Sequence, residues 1–172
     1  QRAAGMTAHL AATTAAHAEA LARAASLRAT IDAQAIVSVT DPTGRIVEAN
    51  ENFCRISGYT RGELIGQDHR IVNSGHHPPE FWHTMWQTVR SGRPWRGEVC
   101  NRAKDGSLYW VASIIAPCLG ADGAIGQFLS VRTDITALHQ ATARAKLHEA
   151  QLELAQRVAG VGQAVAGDVV VT

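Results

Sequence analysis

Aromatic residues make up only 5% of this 172-residue chain, and cysteine occurs three times, at Cys54, Cys100 and Cys118, without CxxC spacing. Zinc sites and disulfide frameworks need paired spacings, so these three read as small buried hydrophobes in a reducing compartment. No apolar run approaches the ~20 residues that span a bilayer, and no signal-peptide pattern is present. Charge of one sign is also missing. A net charge of +1, with the basic residues scattered, leaves no footprint for nucleic acid or an anionic membrane. There is no nucleophile with a base and an orienting acid at recognisable spacing, no carboxylate pair and no phosphate loop, so enzyme chemistry is not expected. Gly160-Val161-Gly162 follows no strand and makes no dinucleotide loop. The chain opens on Gln1 and is read as a fragment. Membrane segments upstream stay open, while the fragment itself is expected in the cytoplasm without direct membrane contact.

What is present is enough for a core: 46% hydrophobic residues and 18% charged ones suit one ordinary domain with extensions. Residues 3–31 are rich in alanine and free of proline, which predicts a long helix. Leu10, His17, Ala24 and Ile31 recur every seven residues as a poor coiled-coil seam. A strand at 35–40, a turn at Asp41-Pro42-Thr43-Gly44 and a strand at 45–49 follow. Asn50 caps a short helix to Ile56, and Thr60 caps another containing Glu63 and Leu64. Residues 68–77 read as irregular and polar. Pro78-Pro79 opens a longer helix with Phe81, Trp82, Met85, Trp86 and Val89 on its apolar stripe.

The stretch from Trp95 to Thr136 carries most of the information. Trp95–Asn101 alternates with period two, Lys104-Asp105-Gly106-Ser107 is a hairpin turn, and Leu108–Ile115 and Gln127–Arg132 are the next two strands. A final helix runs from Asp134-Ile135-Thr136 to about Val158, with competing stripes of Leu138, Ala145, Leu152 and of Leu147, Leu154. Five strands with helices segregated to one face make an α+β fold. The opposite face of the sheet needs a flanking helix or a partner. The expected divisions are a flanking helix at 1–32, a globular domain at 33–137, a C-terminal helix at 138–159, and a linker or the start of a further domain at 160–172.

Ala49-Asn50, Ser57-Gly58-Tyr59, Asn101 to Ser107, Trp110 and Asp134-Ile135-Thr136 stand in an order and spacing that resembles the PAS sensor domain over about residues 33–137. Pro94-Trp95-Arg96-Gly97 followed by Asn101 is similar to the flavin-binding subgroup found in bacterial redox and aerotaxis sensors. The resemblance implies a PAS fold: a five-stranded antiparallel sheet, short helices on one face, and flanking N- and C-terminal helices. It also implies non-covalent FAD between sheet and helices, a homodimer through the N-terminal helix and sheet face, and a downstream signalling domain reached through Asp134, Ile135 and Thr136. The light-sensing LOV branch has a photoactive cysteine where this chain has Asp68-His69-Arg70, so no covalent adduct is expected.

Strand alternation puts Trp95, Gly97, Val99 and Asn101 on one face. By resemblance that face lines the pocket, with Ser113 and Arg132 on the following strands and Asn50, Arg70 and His76 on the helical side. Arg132 stands where LOV domains place a glutamine; it points inward if the family register holds, or is exposed at a strand end. Arg70 suits the FAD pyrophosphate. Trp95 can equally fill core, Asn101 cap the hairpin, Asn50 cap its helix, and His76-His77 form a polar loop. Two other readings stay open: a haem gas sensor with His83 as axial ligand, and a cofactor-free dimerisation module.

Overall fold

The computed structural model describes residues 2–167, with side chains at 5, 6 and 9–160. The elements run α1 (Arg2–Gln34), β1 (Ile36–Thr40), β2 (Ile46–Ala49), α2 (Glu51–Ser57), α3 (Arg61–Leu64), a 3-10 turn (His69–Val72) and α4 (Pro79–Arg90). Then come β3 (Trp95–Arg102), β4 (Leu108–Leu119), β5 (Ile125–Asp134) and α5 (Thr136–Gly167). One compact unit ends at Asp134 and a second begins at Ile135. The five strands form one antiparallel sheet in the order β2-β1-β5-β4-β3. The expected α+β class and five-stranded antiparallel sheet are therefore observed.

The short helices stay in place because their ends are satisfied. The Asn50 carboxamide oxygen accepts from Phe53 N at 3.0 Å, capping α2, and from Val37 N at 3.0 Å. Its amide nitrogen donates to Ala35 O at 2.8 Å. One side chain thus ties α2 to β1 and to the end of α1. Gly58 closes α2 at φ 72, a conformation that costs glycine little. Thr60 and Glu63 form a reciprocal capping box on α3. Lys104 and Thr60 hold the Glu63 carboxylate down to about 2. Phe53, Ile46, Leu64, Val72 and Val89 are sealed between these helices and the inner face of the sheet.

Several elements outrun the sequence reading, β4, β5 and α5 among them. β4 continues past Ile115 through Pro117, a residue that removes a ladder donor. It is tolerated because β3 begins at Trp95, opposite Ile115, so no strand lies on that side of Pro117. α5 passes Gly160 and Gly162 and ends at Gly167, in a stretch expected from 160 to be a linker or the start of a further domain. Each glycine costs a helix only about 1 kcal/mol relative to alanine, which a long helix absorbs. The Val-Val-Val-Thr end lies outside the described residues. On α1, Leu10, Leu21, Leu27 and Ile31 are exposed, as are Leu138, Leu147, Leu152 and Leu154 on α5.

Asn50→Ala is expected to cost about 2–4 kcal/mol, as the cap is lost and the Val37 amide is left without its acceptor. Chemical denaturation measures it, and a loss under about 1 kcal/mol would show that these bonds are replaceable.

Candidate functional site

Period-two alternation sets the floor of a cavity of about 620 Å³. Thr40 from β1, Phe128, Ser130 and Arg132 from β5, Ser113 and Ile115 from β4, and Val99 and Asn101 from β3 all line it. Register explains the grouping: Ser113 is paired with both Gly97 and Arg132, and Ile115 with Trp95 and Ser130. The opposite wall is α4, whose Trp82, Met85 and Trp86 share one stripe. Trp86 packs edge-on against Phe128 at 5.5 Å, with the Arg90 guanidinium 4.9 Å from its ring. The 3-10 turn and the residue after it close the remaining side with His69 and Asn73.

That turn is pinned locally. Asp68 accepts from Arg70 N at 2.9 Å, and His69 N donates to Gly44 O at 3.1 Å in the β1–β2 turn. The His69 ring stacks on Phe53 (5.5 Å, 10°). Its Nε2 lies 2.8 Å from Arg132 Nη2, and Arg132 Nη1 donates to Ser38 Oγ at 3.0 Å. Arginine can only donate, so His69 Nε2 is the acceptor and the ring is neutral. Burial, and secondly the Arg132 charge, push the His69 imidazole down to about 3. Burial lowers Arg132 to about 10, which still leaves it cationic at neutral pH. Among the described residues, the buried Ser113 Oγ has no hydrogen-bond partner. Burial pushes the Tyr109 phenol up.

Of the residues singled out in the sequence, Asn101, Ser113 and Arg132 meet on the cavity floor and Arg70 stands at its wall. Arg70 is exposed and engaged by Asp68 at 3.2 Å. Trp95 lies beside the floor and not in it: its ring covers Gly97 so closely that a Cβ there would stand 2.5 Å from Cη2. It meets Phe81 edge-on at 5.5 Å. Asn50 is away from the cavity, spent on its cap and on β1. His76 is exposed and edge-on to Trp110 at 4.9 Å, outside the wall. Its neighbour His77 does line the cavity, and accepts from Cys100 N at 2.9 Å. His83 is exposed on α4.

Residues 33–137 match the family model described as PAS domain. The chain belongs to the PAS domain family. It is 36% identical over 121 residues to the nitrogen fixation regulatory protein of Klebsiella pneumoniae, covering 70% of this chain and 24% of that one. To the aerotaxis receptor of Escherichia coli (strain K12) it is 39% identical over 105 residues, 61% of this chain and 21% of that one. It thus spans about a quarter of the length of these curated relatives. Among solved structures, a light-oxygen-voltage domain studied with a flavin analogue shares the fold, with a TM-score of 0.60 at 23% identity over 75% of this chain and 96% of that chain. The PAS fold is therefore established from both directions, and these relatives are a receptor and a regulator.

His69 was missed because it falls in ten residues with no apolar period, and the α4 aromatics that do line the cavity read equally well as plain core. His69 stays neutral when folded down to about 3, whereas the unfolded chain takes up a proton below its ordinary 6.5. Its contribution to stability is present in full above 6.5 and lost as the pH falls toward 3, by at most about 1.4 kcal/mol per pH unit. His69→Gln keeps an acceptor for Arg132 and should flatten the fall in unfolding free energy between pH 6.5 and 5. Equal slopes for the two proteins would remove His69 from the account.

Proposed function

We propose that this PAS domain is a sensory module that binds FAD non-covalently in the cavity and reports redox or energy state through α5 to an output domain. The observation that carries the reading is the cavity itself, which sets flat apolar walls against convergent polar groups. Trp82, Trp86, Ile115 and Phe128 offer surfaces for a planar ring system. Asn101 and Asn73 bring amide groups, which can both donate and accept along the polar edge of a pyrimidine. Ser113 brings a buried hydroxyl without a partner, a group that a bound ring would satisfy.

Flavin supplies two-electron redox chemistry with a gain of proton and negative charge on the ring. The protein's part is to feel that charge. Arg132 is the cation nearest to hand on the floor, and its bonds to Ser38 and His69 compete with any anion in the cavity. Turning Arg132 bears on β5, which passes through Asp134 and Ile135 directly into α5 at Thr136 without a loop. Arg70 and Arg90 stand at the cavity wall, where arginine geometry suits a pyrophosphate. Trp95 supports the floor from beside it, filling the room left at Gly97. Homodimerisation through α1 and the sheet face accords with the exposed leucines of α1. No helix among the described residues is long and apolar enough to cross a membrane, and we place the module in the cytoplasm.

The haem reading is less well supported. His83 is exposed, and both cavity histidines already use a ring nitrogen, His69 toward Arg132 and His77 toward Cys100. An absorption spectrum of the purified chain, repeated after incubation with FAD, separates the possibilities: flavin bands are expected, a Soret band would favour haem, and neither would leave an empty interaction module. Asn101→Ala and Ser113→Ala should each weaken FAD binding about tenfold, the cost of one hydrogen bond. Full retention in both would remove the proposed site. Arg132→Ala should lower the flavin midpoint potential by about 30–60 mV, one charge-assisted bond over two electrons. Spectroelectrochemistry showing no change would take Arg132 out of the mechanism.

A further inference from the structure

We propose that the Arg132 end of the cavity is a site for one planar, delocalised anion, and that His69 takes up a proton from solvent when the anion binds. This rests on reading the cavity as a ring-binding site and names how that site handles charge.

Arg132 is 5% exposed, yet among the described residues its side-chain hydrogen-bond partners are a serine hydroxyl and an imidazole nitrogen, with the Tyr109 phenol a further electrostatic neighbour. Among the described residues no carboxylate is paired with it; the ion pairs lie at the surface instead. A buried cation is costly unless an anion completes its surroundings. The adjoining strand position supplies a second, independent vacancy in the hydrogen bonding: Ser113, cross-strand partner of Arg132, has a buried Oγ without a partner. Both residues line the same cavity, opposite the flat walls of Trp82 and Trp86. A guanidinium fork beside a hydroxyl donor between aromatic walls suits an N–C–O⁻ edge of a planar ring.

The groups facing His69 are Arg132 from β5, Ser38 from β1 at 3.5 Å, Phe53 from α2 and its own neighbour Asp68. Arg132 opposes a proton on the ring twice, through its charge and by occupying the Nε2 lone pair. Asp68 favours one. An anion held by Arg132 offsets that charge and draws Nη2 away, which frees the lone pair. One anion and one proton then enter together, and the cavity's net charge is unchanged. The Nε2 lone pair takes the proton from solvent to form an N–H bond, with no change of oxidation state.

Calorimetric titration of the cofactor-free chain with barbiturate, a planar imide that is anionic at neutral pH, tests this at pH 6. Two buffers of different ionisation enthalpy count the protons. About one proton should be taken up per anion bound in the parent chain and almost none in His69→Gln, which keeps an acceptor for Arg132. Arg132→Gln should bind barbiturate at least about tenfold more weakly. Absence of binding, unchanged affinity in Arg132→Gln, or equal proton counts in the parent and His69→Gln would overturn the proposal. Flavin absorbance on the same preparations keeps the two readings apart. A chain that holds FAD but fails the proton count sinks only this inference; one that passes the count but never holds FAD sinks only the flavin reading.

Discussion

A guanidinium enclosed at the floor of a cavity, with no carboxylate among the described residues to answer it, is the constraint around which the rest of this domain is arranged. Removing an arginine from water costs several kcal/mol after relaxation, and neutral partners recover only part of that. The fold supplies those partners from three places far apart in sequence: Ser38 on β1, the His69 ring on the 3-10 turn, and the face of Phe53, 5.6 Å from the Arg132 guanidinium, on α2. Each is held by backbone geometry. Ser38 faces Ser130 in the β1–β5 ladder, and His69 is tied to Gly44. The charge is thus tolerated without being neutralised, which leaves it available to whatever enters the cavity.

Sheet geometry then decides which residues share that space. Alternate side chains of β3, β4 and β5 face the same side, so fixing the registers of the β3–β4 and β4–β5 ladders fixes the floor. Asn101, Val99, Ser113, Ile115, Ser130 and Arg132 follow with no further choice. Gly97 is the exception that matters, since Trp95 occupies the volume its missing side chain leaves. That arrangement moves Trp95 from the wall into support of the sheet, beside Phe81.

The sheet was legible in the sequence because a period of two, turn residues such as Asp105-Gly106 and the caps Asn50 and Thr60 are all local signals. The three floor residues Asn101, Ser113 and Arg132 came with it. The helical side was less legible for a physical reason. Residues 68–77 carry no period, so nothing local says that His69 turns inward while His76 turns out. Asn50 showed the converse ambiguity: a cap and a pocket amide call for the same residue, and only the third dimension shows it spent on Val37, Phe53 and Ala35. The extra length of β4 and α5 was hidden by Pro117, Gly160 and Gly162, whose penalties depend on neighbours that sequence does not show.

Arg132 and Ser38 sit on the two strands that open directly onto the long helices. β5 runs from Arg132 through Asp134 and Ile135 into α5, and β1 begins at Ile36, one residue past Ala35 and the end of α1. Asn50 bonds both Val37 N and Ala35 O, on either side of that junction, and Arg28 pairs with Glu48 on β2 to fasten the same helix end. In the proposed sensing scheme, a change in how Arg132 divides its donors between Ser38, His69 and a bound anion would act on β1 and β5 at once. These two strands pair over five residues, Ile36 to Thr40 against Phe128 to Arg132, so neither can shift without the other. In that scheme the buried charge at the ladder's end would bear on both the strand that follows α1 and the strand that leads into α5.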